Sequence, residues 1–289
     1  MASIEKNDLL EAAVRFLDES AVNYLDAEVA LRPDLAGMRF FDAPLMAVGA
    51  AGDPIFELLK SDEAVGPMFM TPEEWLPGAK SVISFFLPFE ERIITANLGA
   101  TAEIPPEWLH GRIEGQTALN AMVVSLRDLL IESDCAAIIP TMDDRFESGR
   151  KPDFLSRDGE ELPGYTSSWS ERHVAYACGL GTFGLSRGLI TKRGTAGRFG
   201  SIITDLPLAP DVRPYSRYDE YCNLCGECAA RCPVGAIDVH KGKNMAVCAA
   251  FMQKCTEKYS PRYGCGKCNV GVQCATGVPG GASRRKTTS

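Results

Sequence analysis

The sequence is short of histidine, of net basic charge and of long apolar runs, and each shortage excludes something. Its only histidines are His110, His173 and His240. A lone histidine near an apolar face is usually a satisfied structural residue, so none is expected to ligate a metal. Lys and Arg number 30 against 38 Asp and Glu, which gives a net charge of −8 and a pI near 5.1. That balance argues against sequence-independent nucleic-acid binding, which depends on neutralising phosphates. The most apolar segments, 43–52 and 82–89, fall far short of the roughly 20 residues that span a bilayer. The opening Met-Ala-Ser-Ile-Glu-Lys-Asn-Asp carries no basic stretch leading into an apolar one, so no secretory signal is read there. A soluble, cytoplasmic protein without a membrane partner is expected. The basic group Arg187, Lys192, Arg193 and Arg198 reads as a solvated loop, with a local binding patch as its alternative. Arg284-Arg285-Lys286 reads as a frayed terminus.

Against these shortages stands ample material for a core: 45% of the 289 residues are hydrophobic and 24% charged. The length suits one large domain and one small one, and the boundary is placed at the proline-rich segment 206–214, giving domains 1–210 and 211–289. Leu10, Val14 and Leu17 recur at helical spacing and predict an opening amphipathic helix running to about residue 28. Residues 31–80 give no clear pattern, and Met68 and Met70 within them read as core filler. The run 81–88, β-branched, aromatic and closed by Pro88, predicts a buried strand. Leu119, Met122, Val123, Leu126 and Leu130 form a helical stripe, and 135–140 predicts another buried strand. Residues 141–168 read as a long polar loop. A helix over 169–178, a glycine-rich stretch over 179–200 and a strand over 201–205 follow. Alternation of this kind predicts an α/β layered domain.

Cysteine is plentiful and unevenly placed: nine of the eleven fall within 222–274. Clustered cysteines in an intracellular chain point to metal or redox chemistry and away from a disulfide framework. Residues 222–233 read Cys-Asn-Leu-Cys-Gly-Glu-Cys-Ala-Ala-Arg-Cys-Pro, the C-x2-C-x2-C-x3-C-P run of bacterial two-cluster ferredoxins. Two-residue spacers let one tight loop deliver successive thiolates to one cube of iron and sulfide. Gly226 lets backbone N–H groups approach the sulfides, and Pro233 turns the last cysteine away. In this pattern the fourth cysteine serves the other cluster. Two [4Fe–4S] clusters are therefore expected, one on Cys222, Cys225, Cys228 and Cys274, the other on Cys232, Cys248, Cys265 and Cys268. Cys255 is the rival to Cys248. Paired C-x2-C motifs alone would suit zinc, but three cysteines at x2 spacing before x3-Cys-Pro suit it poorly. Cys135 and Cys178 sit among apolar residues and read as inert core thiols.

Further segments carry a resemblance. They are Ala177-Cys-Gly-Leu-Gly-Thr-Phe-Gly184, Gly200-Ser-Ile-Ile-Thr-Asp-Leu-Pro-Leu208, the cysteine run followed by Val234-Gly-Ala-Ile237, the lone Cys248 between the two cysteine groups and, more loosely, Pro72-Glu-Glu-Trp-Leu-Pro-Gly-Ala-Lys-Ser-Val-Ile83. On these the chain resembles the epoxyqueuosine reductase family, which is related to corrinoid-dependent reductive dehalogenases. The resemblance covers roughly the last 110 residues well and the first 170 loosely. It implies a nitroreductase-like α/β domain that holds a base-off cobalamin against a C-terminal ferredoxin-like two-cluster module. It further implies an oxidoreductase in which electron transfer runs from an external donor, such as a ferredoxin or flavodoxin, through the clusters to cobalt. The substrate would be a small molecule or a modified nucleoside. Gly179, Gly181, Gly184 and Arg187 are the implied corrinoid contacts, although such glycines equally serve tight turns alone.

The chain also departs from the family. Its second cysteine group runs Cys268-x5-Cys274-Ala where the family has Cys-x3-Cys-Pro. The family's aspartate proton donor falls on Tyr165 or Thr166. Dehalogenases use a tyrosine, which makes Tyr165 the implied donor with Arg172 or His173 as its cationic neighbour. A surface-packed loop tyrosine is the alternative. His110-Gly-Arg-Ile-Glu-Gly115 and Asp143-Asp144-Arg145 could line a cofactor pocket or mark a helix start and a solvated turn. The missing aspartate also motivates a second functional expectation, an electron-transfer or corrinoid-binding protein that keeps the fold without the chemistry.

Overall fold

The apolar run at 81–88 forms a strand buried along its whole length, Ser81–Pro88, in a four-stranded antiparallel sheet. The computed structural model describes residues 4–99, 102–155 and 161–280, with the backbone alone described over 150–155 and 161–165. The helices are α1 Lys6–Glu19, α2 Ile55–Leu58, α3 Pro72–Trp75, α4 Glu91–Ala96, α5 Pro106–Glu132, α6 Glu171–Cys178, α7 Glu227–Ala230 and α8 Met245–Tyr259. The strands are β1 Leu45–Ala50, β2 Ser81–Pro88, β3 Ala137–Ile138, β4 Ser148–Leu155, β5 Glu161–Ser167, β6 Gly181–Phe183, β7 Leu189–Thr191, β8 Gly197–Thr204, β9 Ile237–Asp238 and β10 Gly242–Lys243.

The main sheet runs β1-β2-β8-β3. Alternation along β2 divides its side chains between two cores. Ile83, Phe85 and Leu87 face α1 and α5, while Val82 and Phe86 face α6. Phe85 and Phe86 are fully enclosed, and each such burial stabilises by about 1.5–3 kcal/mol. Helices cover both faces, so the strand reads as one continuous apolar run. This is the expected α/β layered architecture.

Helix α5 follows the predicted stripe, burying Leu119, Met122, Val123, Leu126 and Leu130. Pro106 occupies its first turn, where a missing N–H costs nothing. Helix α1 differs from expectation. It buries Leu9, Ala13 and Leu17, with Leu10 and Val14 only half-buried, and it stops at Glu19. Asn23 ends it: the fully buried amide donates to the carbonyls of Leu17 at 2.9 Å and Phe41 at 3.1 Å. That ties the chain back across the core where a longer helix would leave it.

Three further expectations are corrected. The loop expected over 141–168 contains the β4–β5 hairpin. Its strands lack apolar alternation, so the pattern gave no signal for them. The strand expected over 135–140 is reduced to the two half-buried residues of β3. Of the two methionines expected as core filler, Met70 packs against the second core but Met68 is exposed.

The segment 206–214 is pinned to the sheet. The Ser81 hydroxyl donates to the Leu206 carbonyl at 2.7 Å, the Asp211 N–H donates to the Val48 carbonyl at 2.8 Å, and Lys6 pairs with Asp211. Beyond it, α7 carries Cys228, α8 carries Cys248 and Cys255, and the loops around them carry the remaining cysteines of 222–274, while Cys255 and Val270 reach into the first core. Among the described residues, no helix is long and apolar enough to cross a membrane.

Candidate iron–sulfur and cofactor site

The loop from Cys222 to Cys228 doubles back twice. Leu224 and Gly226 both hold left-handed backbone, at φ 54 and φ 79. The Asn223 side chain accepts the Cys225 N–H at 3.2 Å and donates to Gln273 at 3.0 Å, while the Gln273 N–H donates to Glu227 at 2.6 Å. These bonds draw Cys274 onto the loop. One cavity is lined by the thiols of Cys222, Cys225, Cys228 and Cys274, with Leu185, Ile190 and Val272 as apolar wall. Burial pushes the Cys274 thiol up to about 12, and the nearby Cys228, Cys222 and Cys225 add to the rise.

A second thiol group adjoins the first. Cys268 is raised by burial, held back by Lys243, and lies within electrostatic range of Cys248 and Cys232. Cys265 is pushed up to about 12 by burial, with Cys268, Cys255 and Cys248 near it. Cys268 lies within electrostatic range of Cys228, so the two groups are neighbours. The Ala236 N–H donates to the Cys232 sulfur at 3.2 Å. The Cys265–Cys268 turn is anchored from α4: Asn97 donates to the Cys265 carbonyl at 2.9 Å, and the buried Lys267 ammonium donates to the Gly99 carbonyl at 2.9 Å. Among the described residues, no three His, Cys, Asp or Glu side chains close on a single metal ion.

Near the second group stand several arginines. Arg172, at the start of α6, is exposed and donates to the Arg187 carbonyl at 3.0 Å. It stands within electrostatic range of Arg112 and Cys268. Arg198, on β8, is pushed down to about 9 by burial and then by Arg112 and Arg172. Arg112 stacks 5.0 Å over the Tyr263 ring, and its Nε is buried without a partner. His173 is pushed down to about 4 by burial, Arg172 and Arg187, so its ring stays neutral at pH 7. It shares a 2.7 Å hydrogen bond with Ser170.

The expected site residues fall in different places. Gly179 caps α6 in left-handed backbone, and a side chain at Gly181 would meet the Ile190 carbonyl oxygen at 2.0 Å. Gly184 lines the first thiol cavity. Arg187, left-handed at φ 59, accepts a 3.0 Å hydrogen bond from Arg172 on its carbonyl. Tyr165 pairs on β5 opposite Arg150, and its side chain lies outside the described residues. His110 is structural: it accepts the Leu31 N–H at 3.1 Å and pairs with Glu114. In the basic group read as a solvated loop, Lys192 is exposed and Arg193 pairs with Asp42. Arg198 corrects that reading, because it lies in β8, half-buried, and donates to the Gln116 amide oxygen.

Sequence reasoning missed the role of Arg198 and also Glu171. Both Glu171 carboxylate oxygens are buried without a hydrogen-bond partner, and burial pushes the group up to about 7 against the nearby hydroxyls of Ser201 and Thr141. Available signals were a charged residue inside an apolar strand and a glutamate on the sheet-facing stripe of α6.

The 4Fe-4S binding domain family matches residues 216–238. A tetrachloroethene reductive dehalogenase from Desulfitobacterium hafniense is 37% identical over 90 residues, covering 30% of this chain and 16% of that protein. Another, from Dehalobacter restrictus, is 41% identical over 69 residues, covering 24% and 12%. A solved epoxyqueuosine reductase superposes with TM-score 0.51 at 17% identity, over 95% of this chain and 66% of that one. A catabolic reductive dehalogenase gives 0.50 at 13% identity, over 83% and 31%. This is an iron–sulfur protein with the epoxyqueuosine reductase and reductive dehalogenase fold. The chain matches under a fifth of the length of its curated relatives and under two thirds of these solved ones.

Proposed function

We propose that this chain is a corrinoid-dependent reductase in which two [4Fe–4S] clusters relay electrons to the cofactor. The observation that carries the reading is the pair of adjoining thiol groups, the first drawn round one cavity and the second beside it, on a chain with the fold of corrinoid-dependent reductases. Cys222, Cys225, Cys228 and Cys274 hold the first cluster, supported by their shared cavity. Cys232, Cys248, Cys265 and Cys268 hold the second. Cys248 is preferred to Cys255 because it neighbours both Cys265 and Cys268, whereas Cys255 is packed in the apolar core.

When bound, the clusters supply single-electron transfer and the corrinoid supplies the reductive chemistry. The residues near the second group suit a corrinoid rim: Arg112 offers an orphaned buried donor, and Arg187 and Arg198 offer further N–H groups. Arg172 stands within electrostatic range of Cys268 and would stabilise added negative charge on the second thiolate group. The exposed Cys225 and Leu224 mark the first group as the face that an external ferredoxin or flavodoxin would approach. Tyr165 remains the proposed proton donor.

Anaerobic purification tests this directly. About eight irons per chain are expected, together with a retained corrinoid spectrum after incubation with hydroxocobalamin. A protein that holds iron but no corrinoid would leave only an electron-transfer role. Zinc in the thiolate sites would remove the redox reading entirely. With corrinoid bound, Tyr165→Phe is expected to lower reductive turnover while corrinoid retention stays unchanged. Equal turnover in variant and wild type would take Tyr165 out of the mechanism.

A further inference from the structure

We infer that Lys267, Arg231 and Trp108 form an electropositive cradle that raises the reduction potential of the second cluster and so draws electrons to it from the first. This rests on the reading of Cys232, Cys248, Cys265 and Cys268 as the ligands of that cluster and adds the residues that set its potential.

Lys267 stands between Cys265 and Cys268 and is only 3% exposed. Its ammonium donates to backbone carbonyls, that of Gly99 at 2.9 Å and that of Asn97 at 3.4 Å. Arg231 immediately precedes Cys232 and reaches the same segment from the other side of the module. Its guanidinium donates to the carbonyls of Lys267 at 3.1 Å, Asn97 at 3.2 Å and Leu98 at 3.1 Å. Two cations therefore meet at the Asn97 carbonyl, and among the described residues neither pairs with a carboxylate. Elsewhere the chain gives its enclosed cations an acid, as in Arg213–Asp53 and Arg262–Glu114.

The third member comes from α5. Trp108 is 2% exposed, and its indole N–H is buried without a partner. The ring lies against the Cys265–Cys268 turn: a Cβ on Gly266 would stand 2.6 Å from the indole nitrogen. Glycine at 266 is what lets the indole come so close to the backbone between two ligand cysteines.

Two cations sharing one carbonyl without counter-charge are unfavourable, and so is an enclosed N–H with no acceptor. One group removes both costs. An iron–sulfur cube held by four thiolates carries net negative charge and accepts hydrogen bonds on its sulfurs. Each electron it takes up deepens that charge, so nearby cations and N–H donors favour the reduced form. Burial alone would work against the added charge, and the cradle supplies the opposing field. The first group has no such surroundings. The side chains that shape its loop are Asn223, Gln273 and the carboxylate of Glu227. The contrast favours passage of an electron from the first cluster to the second.

Redox titration of the anaerobic, cluster-loaded protein, followed by electron paramagnetic resonance, tests the inference. Two one-electron steps are expected, the more positive one belonging to the second cluster. Cys248→Ser, which removes that cluster, identifies its step. Lys267→Met should lower the reduction constant of this step by about tenfold or more, about 59 mV for one electron, and leave the other step in place. Lys267→Arg should retain most of the potential. Trp108→Phe, which removes an N–H and no charge, should lower the same step by a smaller factor. Iron content and melting temperature report whether the variants fold. Should Lys267→Met lose iron, Arg231→Gln, at a half-buried side chain, gives the same reading. Unchanged potentials in every iron-loaded variant, or a shift confined to the first cluster's step, overturn the inference while the two clusters stand. A wild-type first cluster more positive than the second overturns it as well. Zinc in the second thiol group overturns the cluster reading and the inference together.

Discussion

Glu171 opens α6 with its carboxyl enclosed beside Ser201, whose partner across the sheet is Ser84, itself an unpartnered buried hydroxyl. Its pKa is raised from 4.5 to about 7, so the folded state holds a proton that the unfolded chain has already released between those values. The stabilising contribution of this carboxyl should therefore be complete below about pH 4.5, be lost as pH rises towards 7 and be absent above it, a change on the order of 3 kcal/mol or less. Glu171→Gln should abolish that slope and make the variant more stable than wild type at pH 8, as read by urea denaturation at several pH values. Parallel pH dependence in both proteins would show that Glu171 is not the titrating group. A second residue-scale expectation concerns the ligands. Cys248→Ser should lose about half of the bound iron, and Cys255→Ser should keep all of it, as read by iron analysis. The reverse result would exchange the two cysteines. At this scale the ligand run was legible because its chemistry is local, with four cysteines and a proline in twelve residues. Arg112 and Arg198 were not legible as a pair, because only the crossing of α5 over β8 brings them together.

The turn from Cys265 to Cys268 depends on a backbone that approaches another element closely. Gly266 is left-handed at φ 65, and a Cβ there would stand 1.8 Å from the Trp108 ring on α5. Gly266→Ala should cost more than about 1 kcal/mol from the strained backbone alone, with the steric clash added to it. Because the same turn delivers Cys265 and Cys268, the substitution should lower both the melting temperature and the iron content. An unchanged melting temperature would mean that the turn and α5 are not in contact. Elements with strong apolar period were legible, as β2 and the stripe of α5 illustrate. The β4–β5 hairpin was not, because Ser-Gly-Arg-Lys-Pro-Asp-Phe-Leu carries no alternation and the pair is defined by backbone pairing. The α1 face was misjudged by about one residue. Leu9, Leu10, Ala13 and Val14 offer two overlapping stripes, and packing against α5 chose the one containing Ala13.

The cysteine-rich segment forms only a small core cluster of its own, built from Cys228, Ile237, Val272 and Ala275. Cys255 and Val270 pack instead into the first of the two main cores. Each such burial is worth about 1.5–3 kcal/mol. Holding the several tens of residues beyond 214 in place costs about 1.5 kcal/mol apiece in conformational entropy. A handful of anchors cannot offset that, so thiolate–iron bonds are expected to supply the difference, as metals do in other small domains. The main sheet, covered on both faces by two cores, is expected to have no such dependence. Removing iron anaerobically with a chelator should therefore expose 215–280 to protease while a fragment spanning α1 to β8 survives, as read by mass spectrometry of the digest. The fragment should keep the near-ultraviolet signal of Trp75 and Trp169, which pack edge to face within the second core. If the iron-free chain resists digestion throughout, the cysteine module is held by packing alone, and the thiols would be free to serve chemistry without carrying the fold.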